Sequence, residues 1–395
     1  MSFPTIQDGS PGRFEFSAAQ RIVFGAGCSG EAADLASGFG RRVLLVVGRS
    51  GLHAKALIQS LEQRGLSVSR FTVAEEPTVE LISSGIAQGL DASCEVVIAL
   101  GGGSVLDAGK AIAALIPNPG PPLDYVEIVG KGFPLSQRPL PCMAIPTTAG
   151  TGSEVTRNAV LSVPEERIKV SLRSHAMLPA LALVDPELTR TLPAALTIST
   201  GMDALTQLIE PFVSRKANPF SDAFCREGLP RVAQSLREAC RSAENMVARA
   251  DMSLASLCGG LALANAGLGA VHGLAAALGG MFSAPHGALC ASLLHATCTA
   301  NVRELVKECA THPALARFQS AAILLTGDAK AELDDGLTWL AALARDLEVP
   351  PLRRLGVSSE EFEEVAQAAL RTSSMKGNPA AFDVKALTSI LEAAW

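Results

Sequence analysis

Between Ile22 and about Asp185, short apolar or β-branched runs alternate with stretches of helical periodicity. Residues 42–47, 67–73 and 95–100 read as strands, and residues 54–64 and 79–90 as helices. Residues 43–47 and 96–100 are apolar throughout, with no in-and-out alternation, which is the pattern of strands covered on both faces in a parallel sheet. After Leu192-Pro193 the Val/Ile clusters stop. Ala/Leu-rich segments with helical spacing follow at 194–213, 221–242, 251–264, 302–325, 333–347 and 384–394. Pro179, Pro186 and Pro193 cluster where the texture changes, as expected between elements and not inside them. The predicted organisation is a Rossmann-like α/β domain with a parallel sheet over residues 1–190, and an all-α domain over residues 191–395. A ligand-holding cleft between the two is the default expectation.

Composition narrows the function classes. The 395 residues are 48% hydrophobic and 18% charged, enough apolar surface to offset the entropy of ordering a globular chain. Thirty-three basic against 39 acidic side chains give a net charge of −6 without a basic run, so nucleic acid is not an expected partner. Nine cysteines, odd in number and without CxxC spacing, read as free thiols of a cytoplasmic protein. The first twelve residues lack the charged and apolar regions of an export signal. Mean hydropathy is positive, but the apolar run 254–280 carries seven glycines, Asn265 and His272, which suits a buried helical core and not a membrane span.

Three constellations carry chemistry. In the first, the apolar strand 97–100 runs into Gly101-Gly102-Gly103-Ser104-Val105. Glycine permits positive φ and close backbone approach, Ser104 offers a hydroxyl and an N-cap, and a helix start favours an anion, so a diphosphate is the natural occupant. In the second, residues 144–156 place five hydroxyl side chains and two glycines after an apolar strand, suited to polyphosphate and nicotinamide amide groups or, alternatively, to capping their own loop. The third lies in the helical half. Asp203 and Gln207 are four apart on one helix face, and His272 and His286 each stand next to glycine in apolar surroundings. A divalent metal held by Asp203, His272 and His286 is one reading; two core histidines bonded to backbone carbonyls is the other.

Taken together, the motifs resemble the iron-containing (group III) alcohol dehydrogenase family, which shares a dehydroquinate synthase-like architecture. The resemblance rests on Ile22-Val-Phe-Gly-Ala-Gly27, Gly101-Gly-Gly-Ser-Val-Leu-Asp-Ala-Gly-Lys110, Pro146-Thr-Thr-Ala-Gly-Thr-Gly-Ser-Glu154, Asp185-Pro-Glu-Leu-Thr189, Thr191-Leu-Pro193, Gly201-Met-Asp-Ala-Leu205 and Ala266-Gly-Leu-Gly-Ala-Val-His272. It implies an oxidoreductase that moves a hydride between NAD or NADP and a small alcohol or carbonyl substrate, assisted by Fe²⁺ or Zn²⁺, and a homodimer. Carried onto this chain, it implies cofactor contacts from Gly48, Gly101, Gly102, Gly103, Ser104, Val105, Asp107, Thr147, Thr148, Thr151, Lys169 and Leu188. It implies a metal held by Asp203, Gln207, His272 and His286, of which Asp203, His272 and His286 serve catalysis.

Three positions depart from the family pattern. Gln207, a neutral oxygen donor, stands where a ligating histidine is usual. Ala276 stands where a proton-relay histidine often follows one turn after His272. After the second strand, Gly48-Arg49-Ser50 lacks the usual carboxylate for the adenosine ribose, and Arg49 is suited to pair with a 2′-phosphate, so NADP(H) is expected to be tolerated. Residues 218–219, 279–280, 284–287 and 392–395 are also similar to maleylacetate reductases, relatives that work without metal. Two further alternatives are a lyase of the dehydroquinate synthase kind and a nucleotide-binding relative without catalysis.

Overall fold

The computed structural model describes residues 12–282 and 284–395. By contacts it divides into two compact units, one of residues 17–148 with 152–191, the other of residues 12–16, 149–151, 192–282 and 284–395. The main break in contacts falls between Thr191 and Leu192. The short segment Ala149–Thr151 belongs with the helical unit, which the sequence pattern does not reveal.

The first unit contains β1 (Ile22–Phe24), α1 (Ala32–Ser37), β2 (Arg42–Gly48), α2 (Ala54–Gln63), β3 (Ser67–Val73), α3 (Val79–Asp91), β4 (Val96–Gly101), α4 (Gly103–Leu115), β5 (Cys142–Pro146), β6 (Asn158–Val163), β7 (Ile168–Arg173) and β8 (Leu181–Val184). Six strands form one parallel sheet in the order β1-β8-β5-β4-β2-β3. The apolar runs have the cause inferred from sequence. Leu44, Val46, Val97 and Ala99 pack in a core with residues of α3 and α4, while Val43, Leu45, Val47, Val96, Ile98 and Leu100 pack with α1 and α2. Each such side chain fully removed from water contributes roughly 1.5–3 kcal/mol, so both faces drive sheet formation. Sequence reading did not single out β6 and β7, an antiparallel hairpin turning at Pro164–Arg167.

Strand order decides where a ligand binds. From β2 the chain steps outward to β3, then returns across β2 to β4 and continues the other way through β5. The reversal lies between β2 and β4, and in open α/β sheets ligands bind beyond the carboxyl ends of strands at such a point. Gly48 ends β2 and Gly101 ends β4 there.

The second unit is built from α5 (Ala194–Val213), α6 (Pro219–Arg241), α7 (Met246–Ala266), α8 (Ala270–Met281), α9 (His286–Glu308), α10 (Pro313–Thr326), α11 (Leu333–Asp346), α12 (Phe362–Leu370) and α13 (Val384–Ala394). The predicted helix over 302–325 is two helices, broken where the chain turns and His312 caps α10 by accepting from Ala314 N–H. Among the described residues α7 is long and apolar enough to cross a membrane. Two thirds of that window is buried inside the protein, where α7 packs between α5 and α6 as a core helix.

Candidate metal centre and nucleotide site

In the α/β unit the glycines work differently from the expectation. None of Gly101, Gly102 and Gly103 has positive φ. A Cβ on Gly101 would come within 2.6 Å of Val105, and one on Gly109 within 2.5 Å of Ala99, so glycine is required for α4 to lie close against its own strand. Ser104 is not the cap: Gly102 is, in extended geometry, and no side chain caps α4. Val105 and Leu106 N–H donate to the Gly102 carbonyl, so it is the N–H groups of Gly103 and Ser104 that can meet an anion, supported by the helix dipole. Thr147 N–H donates to the Gly101 carbonyl at 3.0 Å, which brings the two motifs side by side, and Thr148 adjoins Gly102.

The rest of the hydroxyl-rich motif is engaged internally. Ser153 Oγ donates to Asp107 Oδ1 at 2.5 Å, Val160 N–H donates to Asp107 Oδ2 at 2.9 Å, and the buried Lys110 Nζ donates to the Ser153 carbonyl and to Thr156 Oγ1, each at 2.9 Å. Asp107, expected at the cofactor, thus has both oxygens occupied in fastening β6 and the 153–156 turn to α4. Leu188 is buried in the core beside α1 and α2. Asp185 accepts from the N–H groups of Gly27, Ser29 and Glu187 and from Ser29 Oγ, which joins two of the family-like motifs structurally. Thr151 belongs to the helical unit by contacts.

Two basic residues have acidic partners that sequence reading missed. Lys169 Nζ lies 2.7 Å from Glu76 Oε1, and Arg49 lies 3.2 Å from Glu75 Oε1. The carboxylate expected to be missing beside Arg49 is therefore present; it comes from the segment after β3 instead of the end of β2. Both side chains of the Arg49–Glu75 pair are largely exposed, so the pairing is weak.

In the helical unit, Asp203, Gln207 and Glu210 share one face of α5 through i, i+4 and i+7 spacing. His272 is the third residue of α8 and His286 the first of α9. The start of α8 is held by side chains from afar: Val271 N–H donates to Glu210 Oε1 at 2.7 Å and Ala270 N–H to Asn378 Oδ1 at 3.0 Å. A Cβ on Gly269 would fall 2.9 Å from Glu210 Oε1, so this approach needs glycine. Glu210 Oε2 lies 2.6 Å from His272 Nδ1. With Nδ1 donating to that carboxylate, Nε2 carries the lone pair.

The resulting geometry brings three of the predicted residues together. His272 Nε2 is 3.3 Å and His286 Nε2 3.8 Å from Asp203 Oδ1, and Cys290 Sγ is 3.6 Å from His286 Nε2. One ligand atom from each of Asp203, His272, His286 and Cys290 lies within 4.8 Å of every other. Asp203 and His272 are buried, while the His286 side chain is 34% exposed and marks the open side. Gln207 donates its amide nitrogen to Asp203 Oδ2 at 3.2 Å. Cys290, Glu210 and Asn378 were not found by sequence reading, although His286 and Cys290 are spaced i, i+4.

The electrostatics ask for a positive charge. Asp203 Oδ1, His272 Nε2 and Gln207 Oε1 are buried without a hydrogen-bond partner. A carboxylate oxygen facing an imidazole lone pair at 3.3 Å is costly unless a cation or a proton lies between them. Burial alone would push both imidazoles down, but Cys290 and Asp203 beside both, with Glu210 beside His272, outweigh it and hold both above the usual histidine value. Burial pushes the Asp203 carboxyl up, yet the adjoining His272 and the nearby His286 draw it below the ordinary range. Oxygen, nitrogen and sulfur donors converging on one small volume fit a divalent transition metal.

This chemistry agrees with the chain's relatives. Residues 19–186 match the family described as iron-containing alcohol dehydrogenase, and residues 197–395 match the family's C-terminal part. The chain belongs to the iron-containing alcohol dehydrogenase family and is an oxidoreductase of that kind. It is 34% identical over 379 residues to alcohol dehydrogenase 4 of Saccharomyces cerevisiae, covering 94% of this chain and 96% of the yeast protein. A crystal structure of 1,3-propanediol oxidoreductase superposes with a TM-score of 0.90 at 30% identity, over 97% of this chain and all of the other. Sulfoacetaldehyde reductase from Bifidobacterium kashiwanohense, solved in complex with NAD⁺, superposes with a TM-score of 0.84 at 27% identity, over 97% of this chain and 98% of the other.

Proposed function

We propose that this protein is an NAD(P)-dependent dehydrogenase that interconverts a small alcohol and its aldehyde or ketone, assisted by a divalent metal held at Asp203, His272 and His286. The observation that carries the metal is the set of unpartnered buried acceptors, Asp203 Oδ1 and His272 Nε2, facing each other at 3.3 Å. When bound, the nicotinamide gives or takes the hydride while the metal polarises the substrate oxygen.

The chain's own residues do the positioning. The uncapped start of α4, Gly102 to Ser104, takes the cofactor diphosphate, and Thr147 and Thr148 take polar groups beside it. Lys169 reaches a cofactor hydroxyl or phosphate by giving up Glu76. Glu210 holds the His272 ring so that Nε2 faces the metal, and Gln207 ties down Asp203 Oδ2 so that Oδ1 does the same. His286, on the open side, leaves room for a small substrate oxygen. With Ala276 in the relay position, the proton passes to water or a cofactor ribose hydroxyl. NADP(H) is accepted beside NAD(H), since Arg49 is exposed and only weakly held by Glu75. The same reading makes the protein a cytoplasmic homodimer, which sedimentation and cell fractionation test.

Titrating the purified protein with NADH and NADPH, then screening aldehydes, ketones and keto acids for oxidation of whichever binds, tests the activity. Consumption of a small aldehyde or ketone is expected. Cofactor binding with no turnover on the panel would favour a non-catalytic relative, and selective reduction of an unsaturated keto acid would favour the maleylacetate reductase alternative.

A further inference from the structure

Cys290 stands in the donor cluster where the motifs did not place it. It lies one turn after His286 on the same face of α9 and is fully buried. Its Sγ lies 3.6 Å from His286 Nε2. Gln207, the residue at the usual ligand position, instead turns its amide nitrogen to Asp203.

Three of the donor separations match the edges of a tetrahedral metal site. With zinc bonds of about 2.0–2.2 Å to nitrogen or oxygen and about 2.3 Å to sulfur, a tetrahedral set has edges of about 3.4 Å between nitrogen and oxygen and about 3.6 Å between nitrogen and sulfur. The observed separations are 3.3 and 3.8 Å from Asp203 Oδ1 to the two histidines and 3.6 Å from His286 to Cys290. Asp203 Oδ1 and His272 Nε2, both buried and unpartnered, face the same volume.

We propose that Cys290 is a thiolate ligand of the metal in this chain, compensating for the neutral Gln207, and that the site consequently favours Zn²⁺ over Fe²⁺. The proposal rests on the metal-centre reading above. On binding, the S–H bond breaks, the proton leaves to solvent and a sulfur–metal bond forms, with no change in oxidation state. A soft sulfur donor in a nitrogen and oxygen set shifts selectivity toward zinc, and its negative charge strengthens binding that an amide oxygen would leave weak. The partly exposed His286 side would be the one by which a substrate approaches such a site.

The test uses the full-length protein loaded with Co²⁺ or Zn²⁺. A near-ultraviolet sulfur-to-cobalt charge-transfer band is expected beside the cobalt d–d bands, and X-ray absorption of the zinc form is expected to show a sulfur shell at about 2.3 Å. Cys290→Ser should abolish the charge-transfer band, keep the d–d bands through the other three donors, and lower the Zn²⁺/Fe²⁺ affinity ratio about tenfold. Gln207→Ala should retain the band. Wild-type protein with d–d bands but no charge-transfer band and no sulfur shell would overturn the role of Cys290 and leave the metal centre standing. Failure to take up either metal would overturn both. The wild-type absorption measurement needs no variant, so misfolding of Cys290→Ser cannot shield the proposal.

Discussion

The two units build their sites by opposite means. The α/β unit presents backbone, namely a helix start laid close to its strand by Gly101 and Gly109, with side chains such as Asp107 and Lys110 working behind it as fasteners. The helical unit presents side chains, each oriented by another buried polar group: Glu210 on His272, Gln207 on Asp203 and Asn378 on the start of α8. A backbone site is compact in sequence and tolerant of its neighbours' identity. A side-chain site is dispersed along the chain and sensitive to every supporting residue.

The largest effect should come from striking the side-chain site while sparing the backbone one. His272→Ala removes a donor whose metal is worth several kcal/mol at the transition state, so turnover should fall about a thousandfold or more. NADH affinity, followed by fluorescence titration, should stay unchanged. A parallel loss of NADH binding would break the separation drawn here.

Next in size is a buried acid in the α/β unit. Desolvation pushes Glu154 up to about 7, against the partial opposition of Lys110. Its folded pKa lies above the unfolded one, so its contribution to stability is intact below the unfolded value of 4.5 and is lost as pH rises through about 7. Glu154→Gln should therefore stabilise the protein by about 3 kcal/mol at pH 8 and hardly at all near pH 4.5. Thermal midpoints of both proteins at the two pH values check the sign. An equal shift at both would mean that packing, not charge, sets the effect.

Third, Glu210→Gln keeps an acceptor for Val271 but loses the carboxylate on His272 Nδ1. Metal affinity should drop about ten- to a hundredfold by competition with a chelator, with cofactor affinity intact. The smallest change belongs to the exposed Arg49–Glu75 pair. Glu75→Gln should move the preference toward NADPH by about two- to fivefold, read from the ratio of kcat/KM with the two cofactors. No movement would place the adenosine ribose elsewhere.

Legibility followed the same division. The strands β2 and β4 and the Gly101–Ser104 motif were readable because a strand buried on both faces and a glycine-dense turn are local patterns in a contiguous stretch, whereas the short β1 and β8 were not. The purpose of those glycines was not: close packing and positive φ look alike in sequence. Asp203, His272 and His286 were raised as metal ligands from their apolar, glycine-flanked settings, but only motif resemblance favoured that reading over core histidines, since no local rule joins residues some 70 positions apart. Glu210 and Cys290 in apolar helices, and Asn378 in the loop before α13, escaped because a supporting carboxylate, thiol or amide looks like any other buried residue until partners are known. Glu75 was missed because the search looked after β2, whereas the parallel neighbour β3 delivers its own loop to the same edge.

The metal requirement tests the account most directly. Protein purified without chelator should carry about one equivalent of zinc or iron per chain by elemental analysis. Prolonged chelation should abolish turnover while leaving NADH binding, and readdition of Zn²⁺ or Fe²⁺ should restore it. Full turnover in protein shown to be metal-free would contradict the assignment of Asp203, His272 and His286.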